Sequence, residues 1–434
     1  MNSTSAVLHA HRMEVSLQNG LLGLLPQLSP SGVWIREGEG MIGLGHAASS
    51  TAAGRNRFSD LAAFWDSLET HEEAVAFVSV TFGPNSEYLS HLIVPEVLIR
   101  CTAGQTTVLI TTSQEATPAQ TLQRHGLRVD DQGQLTHRSP REVDLPPTAL
   151  WEGGHSERQY LNAVVAGLSV IRSGTAEKLV LARDVVVSAS EPLPTGLLLA
   201  RLAEEYPQTW TYCVSAAGDS AQTLLGATPE MLVRLRGRQL SSRVLAGTIA
   251  RAERTSALVE DAKQHREHQL AVTSLVEQLD PVAEALQAPA EPSVLQLPNL
   301  YHLASDITGT VSADSSGNLP SPLQVAEAAH PTAAVCGTPT TTAASLIAQL
   351  EGMDRGPYAG PVGWIDTRGN ADFGIALRGG VLENRLTLRL FAGCGVVEGS
   401  APESELSETR VKLTPMLWAL GLEHRQFPAP TGGA

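Results

Sequence analysis

The sequence predicts an α+β protein built mostly on antiparallel sheets. Strand candidates are numerous and short, and long amphipathic segments are few. The two kinds do not alternate regularly, as they do in chains that form parallel βαβ units. With 434 residues, 42 % of them hydrophobic, the chain is long enough for two or three domains or for one large unit with a sizeable core.

The N-terminal part, residues 1–150, mixes short β-like runs with Gly-rich turns. Val33 to Arg36 and Val94 to Arg100 are its strand candidates, because β-branched and apolar residues are concentrated there. A Pro-rich stretch from Ser139 to Pro147 marks a joint before a second part, residues 151–425. We expect the first part to contribute strands to the same fold as the second.

A helix is predicted directly after this joint. Ser156 and Gln159 have the spacing of a capping box, and apolar residues then recur at helical intervals from Leu161 to Ile171. Gly174 is expected to end the helix. Further strand candidates follow at Lys178 to Val187, Trp210 to Ser215, Met231 to Leu235, Val362 to Asp366, Phe373 to Arg378 and Leu386 to Phe391.

Two long helices are predicted at about 256–288 and 401–421. The second has Ser400 and Glu403 at capping-box spacing and Pro402 in its first turn. We expect 309–322 to be a polar loop and 426–434 to be a disordered tail.

Composition excludes several classes of function. The net charge of −15 disfavours nucleic acid and anionic membranes as partners, although a local cationic pocket could still bind a small anion. The four cysteines are far apart and suggest neither a zinc site nor a disulfide framework. With neither a signal-peptide pattern nor a membrane-spanning apolar run, we expect a cytoplasmic protein.

Familiar short motifs give little support to other enzyme classes. Gly38 to Gly43 matches GxGxxG, but a Gly-, Ala- and Ser-rich stretch follows it, so a hairpin turn is the preferred interpretation. His265 to His268 lacks zincin spacing, and neither GxSxG nor a P-loop occurs.

Lysine is almost absent from the chain. Of 30 basic residues only Lys178, Lys263 and Lys412 are lysines. Genome bias with three random survivors is one explanation. The alternative is that lysine stays where arginine cannot replace it, because only lysine can shed its proton when buried.

Two of these lysines lie in helical patterns with glutamates. Lys263 and Glu267 are four residues apart, and Glu405, Glu408 and Lys412 share one helix face. They could be ordinary solvated ion pairs. Alternatively, carboxylates converging from the two helices would form an oxygen site suited to Mg²⁺.

Nine stretches, in order over about 160–421, resemble the chorismate-utilising enzyme family, and within it isochorismate synthases. These stretches are Glu177 to Arg183, Leu225 to Glu230, Leu245 to Thr248, Glu267-His268, His330 to Gly337, Tyr358 to Trp364, Ala376 to Arg378, Phe391 to Gly395, and Glu408 to Leu413. The resemblance implies the fold of that family, a large two-layered α/β sandwich of mostly antiparallel sheets flanked by helices.

The resemblance also implies a Mg²⁺-dependent conversion of chorismate to isochorismate. Lys178 would be the base that activates water for attack at C2, and Glu230 the acid that protonates the departing C4 hydroxyl. A lysine base must be neutral and a glutamate acid protonated, and burial favours both states.

Metal and substrate residues are carried over in the same way. Glu267 and Glu408, with Glu405 through water, would hold Mg²⁺ against the ring carboxylate, and Arg378 and Tyr358 would clamp the enolpyruvyl carboxylate. The remaining pocket residues implied are Gly247, Thr248, His302, Ala334, Gly393 and Lys412. Gln264 departs from the pattern, since relatives often have an acidic residue there, and this puts the metal affinity in doubt.

The presence of Lys178 also distinguishes between the enzyme types within the family. Enzymes that take ammonia from a glutaminase partner lack this lysine, so water is the expected nucleophile and a glutaminase subunit is not expected. Salicylate synthases, which go on to eliminate pyruvate, are the second hypothesis. The small residues Thr332 to Ala334 favour isochorismate as the final product. A catalytically silent chorismate-binding protein is a third hypothesis, and nothing in the sequence demands more than a monomer.

Overall fold

The computed structural model describes residues 8–69, 73–112, 116–139, 141–217, 222–250, 261–296 and 300–422. The side chains of residues 248–250, 263 and 300 lie outside this description, as does the predicted tail, 426–434.

The strands, numbered along the chain, are His9–Val15 (β1), Gly32–Arg36 (β2), Glu39–Leu44 (β3), Ala48–Ala52 (β4), Val75–Ser79 (β5), Ser90–Val94 (β6), Val97–Thr102 (β7), Gln105–Thr112 (β8), Leu127–Val129 (β9), Leu135–His137 (β10), Thr148–Glu152 (β11) and Lys178–Ala189 (β12). The second half adds Trp210–Ser215 (β13), Thr223–Thr228 (β14), Met231–Arg236 (β15), Gln239–Ala250 (β16), Ala283–Gln287 (β17), Ser293–Gln296 (β18), Leu300–Val311 (β19), Gly337–Thr338 (β20), Pro361–Asp366 (β21), Ala371–Ile375 (β22), Gly379–Asn384 (β23) and Thr387–Val397 (β24).

The α-helices are Gly20–Leu24 (α1), Arg57–Ser67 (α2), Pro118–Arg124 (α3), Glu157–Arg172 (α4), Thr195–Glu205 (α5), Ala262–Leu279 (α6), Pro322–Ala328 (α7), Thr340–Glu351 (α8) and Pro402–Ala419 (α9). A short 3₁₀ helix spans Leu25–Gln27. Within the described ranges, none of the helices has both the length and the apolar character needed to cross a bilayer.

Two large sheets dominate the structure. The 12-stranded sheet runs β1-β8-β7-β3-β2-β13-β14-β23-β24-β12-β11, with β20 beside β12. The 10-stranded sheet runs β17-β19-β16-β15-β22-β21-β5-β6-β4, with β18 beside β19. Strand pairs in both sheets are antiparallel, and strands from before residue 150 lie in both. The predicted α+β class with mostly antiparallel sheets is therefore confirmed.

The two sheets share one core. The side chains of β2 and β13 alternate between the two faces of the 12-stranded sheet, because successive side chains of a strand point to opposite faces. Trp34 and Tyr212 pack in the apolar cluster that includes residues of the 10-stranded sheet. Their neighbours Val33 and Cys213 face a second cluster, which the 12-stranded sheet forms with α1, α5 and α9. Helices thus cover the outer face of this sheet, as the predicted two-layered arrangement requires.

The predicted strand from Val94 to Arg100 is in fact two strands. β6 ends at Val94 and β7 begins at Val97 in the other sheet, with Pro95 between them. Proline has no N–H to donate to a ladder, and it breaks the run at this point. The GxGxxG segment forms the predicted hairpin turn, with Gly38 at φ +78° between β2 and β3.

The helix predictions are only partly correct. The capping box of α4 is present: the Ser156 side chain accepts from the N–H of Gln159. The one predicted at Ser400 and Glu403 is wrong, because Ala401 is the N-cap and the Ser400 hydroxyl instead accepts from the N–H of Val397. The predicted 256–288 helix spans only Ala262–Leu279, and a strand follows it; residues 251–260 lie outside the described ranges.

Candidate active site

A pocket lies where β12, β16, β19, β24 and α6 meet, and its space, including the open mouth, is about 650 Å³. Its walls consist of Val180, Pro229, Glu230, Leu245, Ala246, Gly247, Glu267, His302, Ala334, Val335, Arg355, Tyr358, Ala359, Leu377, Arg378, Phe391, Ala392, Gly393, Gly395 and Lys412. Nine of the residues singled out from the sequence are in this set.

Lys178 begins β12 directly behind the pocket wall. Its side chain is fully buried, and Nζ lies 3.0 Å from Oε1 of Glu267 on α6. The contact is an ion pair whose angles are not those of a hydrogen bond. Gly395, which lies opposite Val180 on β24, makes it possible: a Cβ there would come within 3.0 Å of Glu267 Oε1, closer than real Cβ contacts. Lys178 and Glu267 are therefore held together by three elements distant in sequence.

Glu230 follows β14, and its carboxyl group faces the pocket. The side chain is buried, and burial raises its pKa to about 7, even though the Leu245 N–H and the positive charges of Lys178, Lys412 and Arg378 lower it. The Leu245 N–H lies 3.5 Å from Glu230 Oε1. Near neutral pH this carboxyl group can thus carry a proton and donate it.

Arg378 lies between β22 and β23 in the left-handed region of backbone space, at φ +51°. Its Nη2 is 3.2 Å from Nε2 of His302. Burial, together with the charges of Arg378 and Lys412, holds the pKa of His302 well below its usual range, so the ring is neutral. A neutral Nε2 can accept from Arg378 while Nδ1–H donates to the Gly247 backbone. His302 therefore links the guanidinium to Gly247, where the register of β16 against β19 shifts.

Tyr358 completes the same wall. Its ring stacks on Phe391 with centroids 5.1 Å apart, and burial raises its pKa to about 12, so it acts as a neutral donor. Gly393 of β24 lies next to the Tyr358 hydroxyl, and a Cβ at that position would be 3.2 Å from it.

Lys412 reaches the pocket from α9. Its Nζ lies 2.6 Å from Glu408 Oε1 and donates to the Gly393 carbonyl at 2.8 Å. Burial would lower the pKa of Lys412, but the adjacent carboxylate of Glu408, through its charge and its hydrogen bond, raises it, and the net pKa is raised. The predicted i,i+4 pair on this helix is present, and it holds a charged ammonium at the pocket wall.

The predicted metal residues form two groups. Ligand atoms of Glu405, Glu408 and Cys394 lie within 4.8 Å of one another, whereas Glu267 falls outside this group and pairs with Lys178. Cys394 is an addition that the sequence did not suggest. Its thiol donates to the Glu405 carbonyl at 3.2 Å, and burial raises its pKa, so it is a thiol and not a thiolate.

The remaining predicted residues are placed as follows. Thr248 pairs with His302 across β16 and β19, and its side chain lies outside the described residues, like that of Lys263. Gln264 lies against Gly247, whose φ is +80°. Lys178, Glu405 and Glu408 are not in the pocket wall.

Sequence reasoning missed Gly395, Arg355 and Phe391 as wall residues. Phe391 and Gly395 lie within a segment quoted for the family resemblance, but only the alternation of Gly393 and Gly395 on one strand face hints at close approach there. Arg355 lies three residues before Tyr358 and had no signal of its own.

The comparisons with known proteins agree with this geometry. The family described as "Chorismate binding enzyme" matches residues 34–421. Isochorismate synthase DhbC of Bacillus subtilis (strain 168) is 38 % identical over 276 residues, 61 % of this chain and 68 % of DhbC. Isochorismate synthase MenF of the same strain is 33 % identical over 61 % of this chain and 56 % of MenF.

A solved structure shares the fold. It is that of MenF, the menaquinone-specific isochorismate synthase from Escherichia coli, with a TM-score of 0.75, 22 % identity and coverage of 96 % of this chain and 95 % of the other. The family match over most of the chain, the shared fold and the relatives' identities lead to one conclusion: this chain is a member of the chorismate-binding enzyme family.

Proposed function

We propose that this enzyme is an isochorismate synthase, which converts chorismate to isochorismate. The names of the relatives that are 33–38 % identical support this activity. The observation that carries the proposal is the pocket chemistry: a buried carboxyl with a pKa of about 7, Glu230, lies in the same cavity as the cationic side chains of Arg378 and Lys412.

Charge supports chorismate as the substrate. Chorismate has two carboxylates, and the pocket presents the guanidinium of Arg378 and the ammonium of Lys412. Arginine can bind a carboxylate with two parallel hydrogen bonds, and the Tyr358 hydroxyl can add a third donor. We infer that these groups orient the substrate, with its ring between Glu230 and the Lys178 side of the pocket.

The reaction balances with two proton transfers. Water loses a proton to Lys178 and forms a bond to C2, and the ring double bonds shift. The C4–O bond breaks, and Glu230 gives its proton to the departing hydroxyl, which leaves as water. Lys178 can act as the base only as the neutral amine, because an ammonium cannot accept a proton.

The acidic residues fit a hard divalent cation, since Glu267, Glu405 and Glu408 offer carboxylate oxygens, the ligands Mg²⁺ prefers. Bound Mg²⁺ would neutralise the ring carboxylate of the substrate. Glu267 and Glu408 each contact a lysine at 3.0 and 2.6 Å, so these two ammonium groups occupy carboxylate oxygens that a cation would take. The thiol of Cys394 is a poor ligand for Mg²⁺.

The test is incubation of the purified protein with chorismate, with and without Mg²⁺, followed by chromatography and a pyruvate assay. We expect Mg²⁺-dependent isochorismate without pyruvate. Salicylate with equimolar pyruvate would assign salicylate synthase instead. Chorismate binding without turnover would overturn the enzymatic proposal.

A further inference from the structure

The strand that carries Lys178 has a gap along one edge. β12 pairs with β24 over Lys178–Ser188 on one side. On the other side β20 pairs only with residues 178–179, and β11 only with 185–189. Residues 180–184 therefore lack a strand partner there within the described part of the chain. Because β12 is buried here, its backbone groups need other partners.

The Cys336 carbonyl accepts from the Val180 N–H at 2.8 Å, and two side chains provide partners for the next backbone groups along this edge. Glu351, at the end of α8, accepts a hydrogen bond from the Ala182 N–H at 2.6 Å. Arg355 donates from Nη2 to the Val180 carbonyl at 2.7 Å. Both residues are almost fully buried, 2 % and 4 % exposed.

The two side chains also bind each other. Arg355 Nε lies 2.9 Å from Glu351 Oε2, and Nη2 lies 2.5 Å from Oε1, which is a two-pronged ion pair. Nη1 donates to the Val335 carbonyl at 2.8 Å, and the guanidinium lies 4.4 Å over the ring of Phe82. The pair is thus rigid, and it joins β12 to the segment that contains Ala334.

Arg355 lines the pocket, so its role could be mistaken for that of a substrate ligand. Four of its five N–H groups are already used by Glu351, Val335 and Val180. Arg378, in contrast, has His302 as its partner at the pocket wall. The two arginines have the same charge, so charge does not show which of them binds the substrate. They differ in the hydrogen bonds that their N–H groups make within the protein.

The geometry points to a positioning role: we infer that Glu351 and Arg355 hold β12 so that Lys178 is aligned for its reaction with chorismate, without contacting the substrate. Val180 lies opposite Gly395 and Ala182 opposite Gly393, so the pair fixes the part of β12 that faces the pocket-lining glycines. This inference rests on the proposed function.

The experiment is steady-state kinetics combined with chorismate binding for two variants. Arg355→Lys keeps the charge but has only three donors on one nitrogen, so it loses the two-pronged pairing with Glu351 and at least one of the four hydrogen bonds of Arg355. Glu351→Gln keeps an acceptor for Ala182 but loses the ion pair. For each we expect kcat to fall at least tenfold while KM and the dissociation constant of chorismate change less than twofold.

Arg234→Lys is the matched control. Arg234 pairs with the buried carboxylate of Asp372, and neither residue lines the pocket. Its kcat should stay within twofold of the wild type, whatever its melting temperature.

Two outcomes would overturn the inference. A tenfold rise in KM and dissociation constant for Arg355→Lys would make it a substrate ligand. A lower melting temperature with unchanged kcat would make the pair merely structural. Should Arg355→Lys fail to fold, Glu351→Gln decides by the same criteria. Failure of the proposed function is distinguishable, because the wild type itself would then form no isochorismate.

Discussion

Oε1 of Glu267 lies in the space that a Cβ atom on residue 395 would need. The two residues come from α6 and β24, more than a hundred positions apart, and their close approach brings Glu267 to Lys178. A glycine at position 395 is therefore a condition for the ion pair behind the pocket wall.

This relationship predicts the effect of Gly395→Ala. The new methyl group would push Glu267 away from Lys178, because its contact with Oε1 is shorter than 3.0 Å. We expect kcat to fall by about tenfold or more, since small misplacements of catalytic groups are costly. Gly83→Ala is the control, because a Cβ there would meet no atom within 4 Å. Equal activity of both variants would contradict the proposed importance of the close contact between Gly395 and Glu267.

Lys178→Arg tests the base. Arginine retains the positive charge beside Glu267 but does not release its proton. Isochorismate formation should fall by at least about a hundredfold, the usual range for loss of a general base. Binding of chorismate, measured by calorimetry, should stay within a few-fold. Turnover close to that of the wild type would remove Lys178 from the mechanism.

The pKa of Glu230 predicts how the activity of the enzyme changes with pH. As an acid it must be protonated, and its pKa is about 7, so kcat/KM should decline as pH rises through about 7. In Glu230→Gln this decline should disappear together with most of the activity. A pH profile of the wild type that is flat from pH 6 to 8 would refute the assignment.

The same carboxyl group affects stability. Its pKa is raised from 4.5 unfolded to about 7 folded, so the folded protein holds the proton over this interval. The free energy of unfolding should therefore fall by about 3 kcal/mol as pH rises from 4.5 to 7, relative to Glu230→Gln. Denaturant titrations at several pH values would measure this difference. Parallel pH dependences of the two proteins would contradict it.

Glu408→Gln tests the metal proposal. We expect Mg²⁺ binding, followed by calorimetry, to weaken at least tenfold, because an amide oxygen is a weaker ligand than a carboxylate. Glu403→Gln, on the exposed first turn of the same helix, should bind as the wild type does. Unchanged binding in Glu408→Gln would mean that this carboxylate serves only its ion pair with Lys412.

Local patterns in the sequence were sufficient to predict several features of the structure. The capping box at Ser156 and the pair of Glu408 with Lys412 both depend on residues within one helical turn, where spacing determines contact. The α+β class followed from the order of the segments.

Contacts between distant segments were not predictable in this way. Glu267 pairs with Lys178 because α6, β12 and β24 meet, not because of the four-residue spacing to Lys263. The role of Arg355 depends on an edge gap in β12 that no local pattern records. The end of the predicted 373–378 strand at Ile375 and the left-handed backbone at Arg378 were likewise not recorded by any local pattern.

The position of β24 has a consequence for synthesis on the ribosome. Among the 24 strands of the described residues this one is made last, yet it lies inside the 12-stranded sheet between β12 and β23. Until residue 397 emerges, the facing edges of those two strands have exposed N–H and C=O groups that could pair with other chains. We therefore expect nascent chains truncated before Thr387 to aggregate or recruit chaperones, and the sheet to close only after β24 has been synthesised.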